Sequence, residues 1–434
     1  MSQSRVTRVR WIMLALVLIA SFSSYFVRSN MSVLADSMMD DLGLTPLQFG
    51  YVFSAFAAGY ALFQLPGGVL GHRLGGRTLV TMMAVAWFIL TALTAMVPGN
   101  DTWSVGAVVI SLIAVRMLVG VTNAPIFPVT AGGTIANWFP IGGWGLPMGL
   151  QVAGLSLGAA ISAPLLVWLS DSFGWRGALL ITAPGALVLA WVWWHYLRDF
   201  PKDHPGVSEG ERALIDAKRP PPEARRTPGA WKAALANRDI LLLTISYFCM
   251  NYVFYLFFSW FFFYLVEIRE FDNQQAGMFT SAQWILGGIA GIAGGALCDW
   301  SVRRWGIRLG PRWLAVVSIV LSGAFLVAGA LALNVFAAVI LLCLSFGFNQ
   351  ISDTTYWVAA IAVSGRHGEV ATGVLNTGGN IVGFAGGLMV PFIAGVFDWE
   401  TAMASGALLA FIAAGLWLFI RADRPMMELK VPDA

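Results

Sequence analysis

Residues 68–77 read Gly68-Val69-Leu70-Gly71-His72-Arg73-Leu74-Gly75-Gly76-Arg77, a short basic segment between two long apolar runs. The runs span residues 47–70 and 78–97, and each is close to the ~20 residues with which a helix crosses ~30 Å of hydrocarbon. Glycines and arginines in so short a connection indicate a turn at a membrane surface. The segment therefore predicts two helices that cross a bilayer in opposite directions.

The composition of the whole chain agrees with a membrane protein. Of its 434 residues, 58% are hydrophobic and 11% are charged, and the mean hydropathy is +0.73. Soluble domains carry about 25% charged residues, so a soluble enzyme or scaffold is disfavoured. A net charge of +3 is too small for a nucleic-acid-binding protein. The three cysteines all fall in apolar runs, which argues against a disulfide framework, redox chemistry or a zinc site: Cys249, Cys298 and Cys343.

Twelve apolar runs are long enough to span a bilayer, which predicts an all-α integral membrane protein of twelve helices. We place them at 11–35, 47–70, 78–97, 103–134, 147–169, 177–197, 239–266, 276–299, 313–333, 335–363, 370–396 and 401–420. The first run follows a basic N-terminus but lacks a signal-peptide cleavage site, so we expect a retained helix.

The basic residues fall almost entirely on one side of the predicted topology. Of the 26 Lys and Arg residues, Arg176 and Arg269 lie on the opposite side, and Arg28 and Arg116 lie inside helices. Because cytoplasmic loops are rich in Lys and Arg, we expect both termini in the cytoplasm and, in a bacterium, residence in the cytoplasmic (inner) membrane.

The longest polar stretch divides the chain into two six-helix halves. We expect an N-terminal bundle at 1–197, a cytoplasmic linker at 198–238, a C-terminal bundle at 239–421 and a cytoplasmic tail at 422–434. The pattern Ser208-Glu209-Gly210-Glu211 predicts a capping box at the start of a short helix in the linker. We favour a solvated linker over a regulatory domain.

The halves repeat. Gly67 to Arg77 matches Gly294 to Arg304, and Phe173-Gly174-Trp175-Arg176 matches Phe397-Asp398-Trp399-Glu400. A six-plus-six repeat is typical of secondary transporters, whose substrate site lies near the midplane between the halves.

The segment 68–77 resembles the signature loop of the major facilitator superfamily, with His72 at the position of the usual acid. Further motifs resemble the anion:cation symporter family, which includes bacterial sugar-acid transporters, sialin and vesicular glutamate transporters. They are Tyr25-Phe26-Val27-Arg28-Ser29-Asn30, Gly59-Tyr60, Gln64-x-Pro66-Gly67-Gly68, Arg116-x-x-x-Gly120, Trp138-Phe139-Pro140 and Gly373-x-x-Asn376. The resemblance implies a major facilitator fold that works as a monomer. It also implies a loop motif for conformational change, comprising Gly68, His72, Arg73, Arg77, Asp299 and Arg304.

Arg28 is a candidate substrate-binding residue. An ionisable side chain at membrane depth is costly and is by default a functional candidate. Tyr25 lies on the same helical face, and a guanidinium fork suits a carboxylate. The alternative is an internal salt bridge to Asp353. The resemblance implies the ligand role, because the matching arginine binds the substrate carboxylate.

Arg116 and Asn123 share a helix face two turns apart. The resemblance implies glutamate at position 123 and, in many bacterial members, aspartate at position 27, both linked to proton coupling. Here these positions hold Asn123 and Val27, neither of which titrates, so the coupling ion stays open.

Asp353 is the carboxylate that we place at membrane depth. Asn349, Asp353 and Trp357 recur every four residues along one helix face. We expect Asp353 to be either a proton carrier or the partner of Arg28 or Arg116 in an ion pair. The resemblance assigns Tyr25, Tyr60 and Asn376 to the substrate site, and Trp357 is a further candidate. A glutamine that the family has in its fifth helix is not matched in register by Gln151.

We therefore predict a secondary transporter of a small organic anion, a sugar acid or related carboxylate, with proton-coupled symport as the leading mechanism. An uncoupled facilitator or exchanger and a multidrug-type efflux transporter remain alternatives. We expect no enzymatic activity, metal or cofactor beyond a coupling ion, and no nucleic-acid partner. The expected partners are the organic anion and the lipid bilayer. Which carboxylate is carried, and in which direction, is left open.

Overall fold

The computed structural model describes residues 6–99, 102–139, 145–216, 235–364 and 368–423, and the part that it describes contains helices and connections but no strand. The chain divides into two compact units, Met1–Arg225 and Arg226–Ala434. The predicted tail beyond residue 423 and the linker residues 217–234 lie outside the described residues.

The first unit contains eight described α-helices. They are α1 Val9–Val33, α2 Ala35–Leu42, α3 Pro46–Ala95, α4 Val105–Asn123, α5 Ala136–Trp138, α6 Gly145–Thr182, α7 Pro184–Tyr196 and α8 Glu209–Asp216. A π-helix, Pro128–Ile135, joins α4 to α5. The second unit contains α9 Arg238–Phe263, α10 Asn273–Ala330, α11 Val335–Ser364, α12 Gly368–Val396 and α13 Trp399–Trp417, with a π-helix at Tyr264–Ile268.

Nine helical stretches of the described residues are long and apolar enough to cross a membrane. Three helices contain a glycine with positive φ at the point where the sequence predicts a turn between two spans: Gly75 (78°) in α3, Gly174 (71°) in α6 and Gly306 (75°) in α10. Glycine adopts this conformation at little steric cost. The three breaks divide the long helices into pairs of spans, and the predicted twelve-helix membrane fold is confirmed.

The structure differs from the predicted spans in two places. The predicted span 103–134 is not one α-helix, because α4 ends at Asn123, Pro125 follows, and Pro128 begins a π-helix. Proline lacks the N–H that continues an α-helical ladder, which explains the interruption. The short helix α2 was not predicted, since its polar sequence gives no membrane-span signal.

Glycines allow helices of the first unit to approach each other closely. A Cβ at Gly154 or Gly158 of α6 would meet backbone atoms of α1. A Cβ at Gly120 of α4 would meet backbone atoms of Phe56 and Tyr60 in α3. Close backbone approach through small residues is how membrane helices gain packing energy. These contacts bring α6 against α1 and α4 against α3.

The second unit repeats this construction. Gly379 and Gly383 of α12 leave room for Tyr247 and Tyr255 of α9, and Gly294 of α10 lies against the backbone of α11. One hydrogen bond recurs as well. Asn123 Nδ2 donates to Ser24 O (3.3 Å) in the first unit, and Asn349 Nδ2 donates to Met250 O (3.2 Å) in the second, each across 99 residues of sequence.

The described first part of the predicted linker contacts the helices that precede it. Glu211 and Ile215 of α8 are fully buried. Trp138 Nε1 donates to Arg198 O (2.9 Å), and Asn137 Nδ2 donates to Asp199 O (3.1 Å). Residues 198–216, which we call the strap, therefore pack against the preceding helices of the first unit. The predicted helix is present as α8.

Candidate substrate and proton sites

Arg28 lies among aromatic rings of the first unit. It belongs to α1 and is 3% exposed. Its guanidinium carbon lies 5.2 Å from the ring centre of Tyr25, 5.2 Å from that of Phe56 and 5.1 Å from that of Tyr60. The faces of aromatic rings attract cations, most strongly where water is excluded. The structure thus brings together Tyr25, Arg28 and Tyr60, which the sequence predicts as substrate-binding residues.

Phe56 is a member of this cluster that the sequence analysis missed. It precedes Tyr60 by one helical turn on α3 and stacks on it, with ring centres 6.0 Å apart. The four-residue spacing from Tyr60 is the one sequence feature that could have indicated Phe56. A phenylalanine in an apolar helix is otherwise ordinary.

Arg116 adds a second buried positive charge to the same cluster. It is 3% exposed, and its guanidinium carbon lies 5.2 Å from the ring centre of Phe56. Its Nη2 donates to Arg28 O (3.2 Å) and its Nη1 to Asn30 Oδ1 (3.3 Å). Both acceptors are neutral, and Nε has no acceptor among the described residues. A buried cation that meets only neutral acceptors favours an anion in its surroundings.

Asn123 joins α4 to α1 rather than facing an ionisable group. Ser24 Oγ donates to its Oδ1 (2.7 Å), its Nδ2 donates to Ser24 O, and the residue is 1% exposed. Val27, where the resemblance implies an aspartate, is buried. These two positions therefore supply packing and a neutral hydrogen bond.

Gln151 is engaged with the π-helix of the first unit. Its Nε2 donates to Thr130 Oγ1 (2.6 Å), and Thr130 Oγ1 donates to Ile126 O (2.6 Å). The Oε1 atom of Gln151 has no donor among the described residues. The glutamine therefore lies in the first unit with its amide nitrogen already bound.

Asp353 holds two aromatic donors in the second unit. Tyr247 OH of α9 donates to Oδ1 (2.9 Å), and Trp357 Nε1, one turn along α11, donates to Oδ2 (3.1 Å). The rings of Tyr247 and Trp357 meet edge to face, with centres 6.1 Å apart. Both hydrogen bonds come from neutral groups. Tyr247 was not among the predicted site residues, because its partner lies on a distant part of the chain.

Asn376 begins a hydrogen-bonded chain on α12. Asn380 Nδ2 donates to Asn376 Oδ1 (2.9 Å), and Tyr255 OH of α9 donates to Asn380 Oδ1 (2.8 Å). Because Asn376 Oδ1 accepts from Asn380, the orientation of its amide is fixed.

The described residues of the loop motif have other surroundings. Arg77 N donates to Asp199 Oδ1 (2.9 Å) and its Nε to Trp194 O (2.8 Å), so this arginine binds the end of α7 and the strap. Arg73, Asp299 and Arg304 are exposed. Gly68 and His72 lie within α3, and the surroundings of both residues are outside the described part of the structure.

Within the described residues, no three His, Cys, Asp or Glu side chains are grouped so that they could hold a metal ion. The three cysteines are buried and unpaired with one another.

Comparisons with known proteins point to one family. The model of the Major Facilitator Superfamily matches residues 17–384. A "Probable galactarate/D-glucarate transporter" of Bacillus subtilis is 29% identical over 94% of this chain and 90% of its own. A "Probable sulfoacetate transporter" of Cupriavidus necator is 29% identical over 98% and 96%. A "Hexuronate transporter" of Bacillus subtilis is 28% identical over 94% and 93%.

Solved structures agree on the fold. A bacterial homologue of the human lysosomal transporter Spinster superposes with a TM-score of 0.79 in an inward-facing, unoccupied conformation, at 16% identity over 98% of this chain and 99% of that one. Its inward-facing, occupied conformation gives a TM-score of 0.76.

Proposed function

The chain belongs to the Major Facilitator Superfamily, and we propose that it carries a small organic anion, a sugar acid or related carboxylate, across the cytoplasmic membrane by alternating access. Both termini would face the cytoplasm, and one chain would be the functional unit. The relatives' names, which include transporters of galactarate or D-glucarate and of hexuronate, support this substrate class. All are transporters rather than enzymes.

The observation that carries the proposal is the environment of Arg28. The guanidinium is buried, and Tyr25, Phe56 and Tyr60 surround it at 5.1–5.2 Å. A carboxylate can accept two parallel hydrogen bonds from such a fork, and exclusion of water strengthens both. Rings around the arginine limit the volume beside it, which favours a small acid over a bulky hydrophobic compound.

Arg116 favours a substrate with two acidic groups. Its own acceptors are neutral, and it shares the Phe56 ring with Arg28, so the cluster contains two like charges that repel each other. An anion with charges at both ends reduces that repulsion more than a monoanion does. Galactarate, D-glucarate and sulfoacetate, which relatives are named for, all have two acidic groups. We therefore place a dianion first among the candidate substrates.

The second unit would recognise hydroxyl groups and bind the proton. We propose that Trp357 and Asn376 bind substrate hydroxyls and that Asp353 is the proton carrier. Indole Nε1 can only donate a hydrogen bond, so a proton on Asp353 Oδ2, which neutralises that acceptor, would weaken its hydrogen bond with Trp357 and allow the indole to leave. The released indole could then donate to a substrate oxygen. Proton binding would thereby favour substrate binding, which is what symport requires.

We propose that Arg73, Arg77, Asp299, Arg304, Gly68 and His72 act in conformational change. We also propose that residues 1–197 and 239–421 act as two bundles joined by the 198–238 segment.

Uptake of labelled galactarate into proteoliposomes, with and without an inward proton gradient, tests the function. Accumulation above equilibrium in the presence of the gradient supports symport. Uptake that reaches equilibrium regardless of the gradient supports the facilitator alternative, which the neutral residues Val27 and Asn123 favour. Absence of uptake for galactarate, glucarate, galactonate, glucuronate and sulfoacetate contradicts the proposed substrate class.

A further inference from the structure

The helix that carries Arg28 has no N-terminal cap of its own. Its N-cap residue, Arg8, makes no side-chain capping hydrogen bond, and the first turn contains no acidic residue. The first amides of an α-helix have no partner within the helix, and the positive end of the helix dipole lies there. The N-terminus of α1 therefore needs an acceptor from elsewhere in the chain.

Glu211 of the strap supplies that acceptor. Thr7 Oγ1 donates to its Oε2 (2.7 Å), Val9 N donates to the same oxygen (3.1 Å), and Arg10 N donates to its Oε1 (3.2 Å). The glutamate is fully buried. Its charge is compensated by three donors and by the positive end of the α1 dipole.

The capping box predicted at Ser208 is shared between the two segments. Glu211 N donates to Ser208 Oγ (3.3 Å), as in an ordinary box. In the ordinary arrangement the glutamate side chain would then accept from Ser208 N. Here Thr7 Oγ1 accepts from Ser208 N (2.9 Å) and Ser208 Oγ accepts from Thr7 N (3.1 Å), which leaves the Glu211 carboxylate for α1.

Few contacts fix the position of α1 along its own axis. Gly154 and Gly158 of α6 place no side chain of their own between α6 and the backbone of α1. Asn123 binds α1 at Ser24, Arg116 binds it at Arg28 O and Asn30, and Glu211 binds its N-terminal end. Arg28 lies about 28 Å along the helix from Val9 at the usual ~1.5 Å per residue, so a rigid helix transmits a shift of its end to the substrate cluster.

We propose that Glu211 is a positioning residue for transport, which caps α1 from the strap and thereby fixes the axial position of Tyr25 and Arg28. The effect on substrate rests on the proposed function, whereas the effect on helix position does not. In this proposal the strap takes part in transport, because it positions α1 within the first unit.

A Glu211→Ala variant tests the proposal against Glu209→Ala, which removes an exposed glutamate from the same helix. We expect the half-saturating galactarate concentration to rise about tenfold in Glu211→Ala, the usual scale of a lost cap, at an unchanged maximal rate per folded transporter. Arg8→Asp, which gives α1 its own acidic cap, should restore most of the affinity. The proposal is overturned if the half-saturating concentration of Glu211→Ala is unchanged, or if this variant only lowers the amount of folded protein. It is also overturned if Arg8→Asp does not restore the affinity.

A measurement without substrate separates this proposal from the transport function. In a Tyr25→Cys background, the rate of maleimide labelling reports the position of α1 near Arg28. Glu211→Ala should change that rate at least threefold, while Glu209→Ala leaves it unchanged. An equal rate in both variants contradicts the positioning role even if galactarate is transported. A changed rate supports the role even if no sugar acid is carried.

Discussion

Replacement of Arg28 by lysine keeps the positive charge and removes the guanidinium fork. In the structure, the guanidinium carbon lies within 5.2 Å of three ring centres, which a single ammonium group cannot reproduce. Loss of one of two charge-assisted hydrogen bonds to a carboxylate costs about 1.5–3 kcal/mol. Weaker contact with the rings adds about 0.5–1 kcal/mol. The total, about 2–4 kcal/mol, corresponds to affinity lower by roughly 30- to 1,000-fold.

Isothermal titration of detergent-solubilised protein with galactarate measures this loss directly. Arg212→Lys is the matched control, because Arg212 is an exposed residue of α8 whose ion pair with Asp216 is 3.9 Å long. We expect wild-type affinity in the control. An Arg28→Lys affinity within threefold of wild type would refute bidentate recognition by the fork, since charge alone would then suffice.

Three further predictions follow from the site and its supports. Asp353→Asn removes the proposed proton carrier, so gradient-driven accumulation should be lost while galactarate exchange across vesicles persists; loss of both activities would argue for a structural role. Gly120→Ala puts a methyl group against the backbone of α3 and should weaken binding about tenfold or more, whereas Gly106→Ala, with open space at its Cβ, should be neutral in the same titration. Gly75→Ala puts a side chain at a position with positive φ, against a carboxylate of the strap. Thermal unfolding should therefore show a larger loss of stability for Gly75→Ala than for Gly174→Ala, whose position has a similar φ but open space around a Cβ. Equal losses of stability would contradict a tight contact between the loop and the strap.

The membrane spans could be predicted because each depends on its own local sequence. About 20 consecutive apolar residues are sufficient to identify a membrane-spanning helix, and the Lys- and Arg-rich loops indicate on which side of the membrane each connection lies. The exact breaks at Gly75 and Gly306 are harder to predict, since glycines are frequent throughout these helices and most of them serve helix packing.

The parts that sequence reasoning missed depend on contacts between distant segments. Ser208 and Glu211 form a local capping pattern, but nothing near them in sequence indicates that the carboxylate binds α1 about 200 residues away. Tyr247 likewise gains its role only through Asp353. Arg28, by contrast, was identifiable alone, because a charge in an apolar helix is unusual wherever the chain folds.

Counterflow of galactarate tests the central claim most directly, because it needs no knowledge of the coupling ion. Proteoliposomes loaded with unlabelled galactarate are diluted into a trace of labelled galactarate. We predict a transient accumulation of label with the wild-type protein and none with Arg28→Ala or with empty liposomes. Absence of this transient with the wild type, for galactarate and for the other candidate acids, would contradict the assignment of the protein as a transporter of small organic anions.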